Sequence, residues 1–165
     1  MMSAASTAVM AGHHRGDRDA GSGRSEGGRA GRGAARRQAV LTREEPLALW
    51  AVIGEGALRM RGVDESIMDE QLGRLLSMGR RPNVNVQVLR SDAPFHVGQL
   101  GSFSILSFGD HADLDVVHTE NLTSAVYVEQ RDQVSMYREA TRRLTSAAES
   151  VEASAELIAE IRKTQ

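Results

Sequence analysis

The chain has no cysteine, one lysine, three prolines and six aromatic residues in 165 positions. Each scarcity closes off some chemistry. Without cysteine there is no disulfide framework, no thiolate zinc or iron–sulfur site and no thiol nucleophile. The lone lysine, Lys163, lies beside the C-terminus, so no phosphate-binding G-x-x-x-x-G-K-[ST] loop exists. No G-x-S-x-G elbow is present either. No run approaches the roughly 18 apolar residues of a membrane span. The N-terminus lacks the apolar core of a secretory signal. These absences favour a cytoplasmic protein, with no membrane partner and no cofactor.

The formal net charge of -2 conceals a split. Residues 1–38 carry seven arginines against three acids, and eight of the 16 glycines. Residues 39–165 carry 13 basic and 19 acidic residues. From Met1 to Gly33 the only branched aliphatic or aromatic residue is Val9. Such a segment buries too little apolar surface to offset its ordering entropy, so residues 1–33 are expected to form a disordered Gly/Arg-rich tail. Its GRAGRGAARR run resembles a weak RNA-binding segment, although basic blocks without interleaved aromatics are usually solvated. His13 and His14 are adjacent, so their side chains point apart, and no ligand partner follows at metal-site spacing.

Residues 34–165 read as one folded unit. A short helix is plausible through AARRQAVLTREE, ending before Pro46. Leu47–Ile53 is a continuous apolar run of strand length. Asp64–Arg80 has the clearest helical period: Ile67, Met68, Leu72, Leu75, Leu76 and Met78 share a face. Asp64 is its natural N-cap, Val63 and Met68 form a hydrophobic staple, and Pro82 prevents continuation. Gln71 borders the apolar face as a candidate buried amide. Asn83–Leu89 alternates strictly and reads as a half-buried strand with Asn85 and Gln87 outward. Strands at Phe103–Phe108, Leu114–Thr119 and Ala125–Val128, joined by short polar turns, fit an antiparallel meander. Two helices close the chain, the second capped by Ser150. The expected class is α+β: a mostly antiparallel sheet of about five strands, with helices on one side and two C-terminal helices.

The segments ARRQAVLTREEP, LWAVIGEGALR, MDEQLGRLLSM, RPNVNVQVL, GSFSILSF and VVHTENLTSAVYVE follow one another in a distinctive order. In that order they resemble the uncharacterised C-terminal effector domain, a domain of unknown function, of actinobacterial XRE-type (xenobiotic-response-element-type) helix-turn-helix transcriptional regulators. The resemblance spans Ala34 to Ile161. It departs at Arg90, where the family usually has proline, and at Met60, Arg61 and Gly62. An aromatic residue is also common at the position of His118. The family's helix-turn-helix and the first stretch of its effector domain are absent, so residues 34–165 are expected to be a partial, truncated domain. The resemblance implies a domain that receives a signal or binds a partner, either a small partner protein or a metabolite. A homodimer over an uncovered apolar face is a further expectation.

DNA binding by this chain itself is disfavoured. The Asp64–Arg80 helix leads directly into a strand, and residues 39–165 are acidic. Arg138, Arg142 and Arg143 read as a solvated face beside Glu139 and Glu149. Trp50, Phe103, Phe108 and Tyr127 lie on strands and read as core. His96, His111 and His118 have no metal-ligand spacing. Glu55, just past a buried strand, and Glu120, at another strand end, would suit a small hydrolase if the fold joined them. Otherwise each caps a turn or pairs with an arginine such as Arg59. The loop from Arg90 to Ser102 carries Phe95, His96 and two glycines. With Glu55 and Glu120, Arg90, Phe95 and His96 complete the candidate ligand- or partner-binding residues. No catalytic residue and no metal site is assigned. The favoured function is a non-enzymatic ligand-sensing or protein-interaction domain of a regulator.

Overall fold

The computed structural model describes residues 7–12, 39–44, 46–60, 64–108, 114–120 and 123–164. It is an α+β fold with strands β1 (Thr7–Gly12), β2 (Ala48–Gly54), β3 (Val84–Leu89), β4 (Phe103–Leu106), β5 (Val116–Glu120) and β6 (Ala125–Val128). Four helices accompany them: α1 (Glu55–Leu58), α2 (Glu65–Gly79), α3 (Arg131–Ala147) and α4 (Val151–Lys163). The strand order is β3-β2-β1-β4-β5-β6.

The expected antiparallel meander holds only for the second half. β4, β5 and β6 pair antiparallel, with Ile105 opposite Val117 and His118 opposite Tyr127. The first half is parallel: β2 runs beside β3, with Val52 opposite Gln87. The reason is connection length. Antiparallel neighbours join by a tight turn, whereas α2 intervenes between β2 and β3 and carries the chain back to the starting end. β1 lies between the two halves, parallel to β2 and meeting β4 antiparallel at Ala11 and Phe103. It falls inside the segment expected to be a structureless tail, and that expectation is corrected for Thr7–Gly12. A strand in mid-sheet satisfies its backbone on two neighbours and therefore needs little side-chain bulk of its own. The rest of that tail, with its Gly/Arg run and His13 and His14, lies outside the described residues, as does Val63.

Helices cover both faces of the sheet, not one. Side chains of adjacent strand residues point to opposite faces. On β3, Val84, Val86 and Val88 pack with Leu72 of α2 and with Leu157, Ile158 and Ile161 of α4. Leu89 points the other way, into a cluster with Val52, Phe103, Val117, Val134 and Leu144, the last two from α3. Asp64 caps α2 by accepting from Ser66 N at 2.8 Å. Leu72 is the only residue of α2 that is fully buried; Ile67 is 52% exposed. Gln71 is exposed as well. The buried amide is instead Gln87, which accepts from Trp50 Nε1 at 2.7 Å. Gln87 also donates to Glu149 O at 2.7 Å and Thr145 O at 3.2 Å. β3 is therefore covered on both faces.

Between α3 and α4 the chain wraps around the outer edge of β3. Glu149 N donates to Val88 O at 2.9 Å. Val88 N donates to Ser154 Oγ at 2.8 Å, and Ser154 is wholly buried. At Val88 the strand edge is thus satisfied by the crossing chain. Of the aromatics expected in the core, only Phe103 is buried; Trp50, Phe108 and Tyr127 are 37%, 38% and 64% exposed. Among the described residues no helix is long and apolar enough to cross a membrane.

Candidate functional site

β4 opposes β1 and β5 opposes β4, so β5 runs parallel to β1, β2 and β3. The C-terminal ends of these four strands share one rim of the sheet, and Phe103 at the start of β4 joins them there. The strand order reverses direction between β1 and β4, the kind of switch point where open α/β sheets place ligands. Glu55, Arg90 and Glu120 all follow or end strands on this rim. The Arg90–Ser102 loop crosses it from β3 to β4, passing the ends of β2 and β1.

Glu55 opens α1 and is buried. Its Oε1 accepts from Arg59 Nε at 2.8 Å and its Oε2 from Ser91 N at 3.0 Å. Arg90 Nε lies 3.9 Å from the same carboxylate and 3.8 Å from Asp92. The Ser91 amide, then the Arg59 hydrogen bond, hold the Glu55 carboxyl below its usual range, and nearby Arg90 adds to this despite burial. The pairing of Glu55 with Arg59 is one the spacing offered. A carboxylate ionised and bonded on both oxygens is a clasp between β2 and the loop after β3, not a free acid or base.

Glu120 stands apart. β2 and β5 are three strand spacings from one another, about 14 Å. The fold therefore places Glu55 and Glu120 on one rim without joining their carboxylates. Glu120 lines a groove of about 690 Å³ between α3 and the β4–β5 pair. Leu100, Phe103, Met136 and Tyr137 give that groove an apolar lining, and Gln133 and Thr119 add polar atoms. The Phe103 and Tyr137 rings meet at 5.0 Å between centroids. Gly101, at the mouth, has φ 150°, a conformation that side chains disfavour.

The loop residues divide. Phe95 is 76% exposed and outside the groove lining. His96 is half-buried with its ring over Gly98, where a Cβ would meet His96 Nδ1 at 3.1 Å and Leu144 Cδ2 at 3.4 Å. It therefore lies on the α3 side, whereas His118 stacks on Tyr127 at 4.8 Å on the opposite face. His111 lies outside the described residues. Among the described residues no three acidic or histidine side chains form a metal-binding group.

Two arrangements escaped the sequence reading. Asp115, ahead of β5, is buried and accepts from Ser107 Oγ at 3.0 Å and Phe108 N at 3.1 Å. Arg138 of α3 also donates to it. Arg138 is therefore not part of a purely solvated face, whereas Arg142 and Arg143 pair with the exposed helix neighbour Glu139. The second is Met136, 72% exposed on the groove wall. A methionine at a helical i+3 step from Gln133 was the available signal.

No curated protein and no solved structure matches the chain. One protein family does, described as a domain of unknown function (DUF5753), over residues 7–160. That match takes in β1, ahead of the position where the sequence resemblance began. The chain therefore belongs to the DUF5753 family.

Proposed function

We propose that this chain is a non-enzymatic ligand-sensing or protein-interaction domain of a transcriptional regulator, and that the groove between α3 and β5 receives its ligand. The groove carries this reading. Its volume of about 690 Å³ falls within the range typical of small-molecule sites. Glu120, exposed at the end of β5, is the acidic residue bordering the groove, and an apolar lining with an acidic border suits a small apolar molecule bearing a positive charge. The half-buried Tyr137 ring on the groove wall favours the same class. The colinear resemblance to XRE-type regulators supports the regulatory and cytoplasmic setting. The acidity of residues 39–165 supports a role without direct DNA contact.

The test is a thermal-shift screen of the whole chain with small hydrophobic amines and their neutral isosteres. A ligand at 100 times its Kd stabilises by about 2.7 kcal/mol. For a domain of this size that raises Tm by roughly 5–11 °C. Amines are expected to stabilise the protein, and Glu120→Gln is expected to remove their advantage over the isosteres. Stabilisation by neither class, or an amine effect that survives Glu120→Gln, would overturn the assignment.

A further inference from the structure

We propose that the outer edge of β6 takes up an extended basic segment of a partner protein by strand addition. This inference stands on the free edge of β6, shares only Glu120 with the groove, and does not require the groove to be filled. β6 ends the strand order, so among the described residues one side of its backbone has no strand beside it. Its four residues, Ala125, Val126, Tyr127 and Val128, include no charge, proline or glycine. Val126 is 50% exposed and Tyr127 64%. Exposed edges are commonly blunted by lysine, proline, a bulge or a covering loop. The opposite edge of this sheet shows such a cover: Ser154 and Glu149 occupy the outward N–H and C=O of Val88.

Charge selects the occupant. Glu120 ends β5 opposite Ala125, and Glu129 and Asp132 follow β6 with Arg131 between them; all four are exposed and their sum is acidic. A second copy pairing antiparallel through β6 would bring its Glu129 toward Glu120, about two strand spacings or 10 Å away, at both ends of the contact. Arginine or lysine flanking a short apolar strand meets the same acids favourably. The pleat directs alternate side chains of an added strand toward Val126 on the α3 face and Tyr127 on the other. The fitting segment is therefore short, extended, apolar at its centre and basic at its ends.

The probe is a fluorescein-labelled decapeptide with an alternating Val-Thr centre and two arginines at each end, titrated into the full chain by anisotropy. Saturable binding is expected. N-methylating alternate central amides should weaken it at least about tenfold in one phase and little in the other, since only one peptide edge bonds to β6. Replacing the arginines by glutamates should weaken it as well. Val126→Lys and Tyr127→Lys change exposed positions, and each should reduce binding while the melting temperature stays within a few degrees. Equal affinity for both N-methylated series, undiminished binding of the acidic-ended peptide, or no binding at all would overturn the proposal. So would a dimer that Val126→Lys dissociates, because the occupant would then be a second copy.

Discussion

Replacing Ser154 by alanine tests whether the passage between α3 and α4 seals the edge of β3. Ser154 Oγ accepts from Val88 N at 2.8 Å and lies 3.4 Å from Glu149 O, to which it donates. The residue is completely buried, so water cannot replace the lost oxygen. An orphaned buried N–H costs about 1–3 kcal/mol. Alanine returns about 0.5 kcal/mol through its better helix propensity. The net loss is then about 0.5–2.5 kcal/mol, or roughly 1–10 °C in Tm. Urea unfolding should show a lower midpoint at unchanged slope, because the surface exposed on unfolding is the same. Native-state hydrogen exchange supplies the local readout: the Val88 amide should lose more protection than those of Val84 and Val86. An alanine variant as stable as the parent, with Val88 still protected, would refute the closure of this edge by Ser154.

Four other substitutions probe separate features. Glu55→Gln should destabilise by about 1–3 kcal/mol at neutral pH, since it removes charge-assisted bonds to Arg59 and Ser91 N. Because the folded carboxyl titrates below its ordinary value of 4.5, the contribution is present above that pH. It disappears as pH falls through the depressed value, so parent and variant stabilities should converge in acid. Convergence at alkaline pH instead would reverse the sign of the argument. Arg138→Met should cost about 1–3 kcal/mol because buried Asp115 loses its counter-ion. Arg142→Met should cost under about 0.5 kcal/mol, as its partner Glu139 is exposed on the same helix. Chemical denaturation of the two variants distinguishes them, and equal losses would contradict the burial of Asp115. Gly101→Ala should cost about 1–3 kcal/mol from its backbone alone, as its φ of 150° disfavours a Cβ and nothing lies near enough to clash. A melting temperature unchanged by this substitution would show that the loop adopts another conformation.

Apart from the short helix α1, the order and type of the main elements after residue 47 were legible because they rest on local periodicity. The Asp64 cap, the six-residue apolar face of α2, the alternation at Val84–Leu89 and the position of Ala125–Val128 all depend on neighbours within a few residues. The parallel pairing of β2 and β3 could also have been read. A strand, a helix and a strand in succession return the chain to its starting end. The even spacing of the later turns drew the reading toward a meander instead. β1 was not legible, because Thr7–Gly12 contains a single branched aliphatic residue amid alanine and glycine. Its place comes from the backbone hydrogen bonds of two flanking strands, which leave no periodic trace.

The same division governs the site. Glu55 and Arg59 form an i,i+4 pair that spacing alone suggests, whereas Ser91 reaches that carboxylate only because β3 runs parallel beside β2. Had the two strands paired antiparallel, the loop after Leu89 would begin at the opposite end of the sheet and Glu55 would lack its second clasp. Thr119 sits in the groove because α3, formed later in the chain, crosses the face it shares with Phe103, and Glu120 borders that groove at the end of β5. Gln87 looks like an outward polar residue of a half-buried strand, yet its partners Thr145 and Glu149 arrive from a helix laid over that face. Gln87 thus marks a place where distant chain converts exposed strand surface into interior. On the β6 edge no described segment does so, and Val126 and Tyr127 stay exposed. That contrast between two edges of one sheet, one closed by Ser154 and one open, is why the search for a partner should begin at β6.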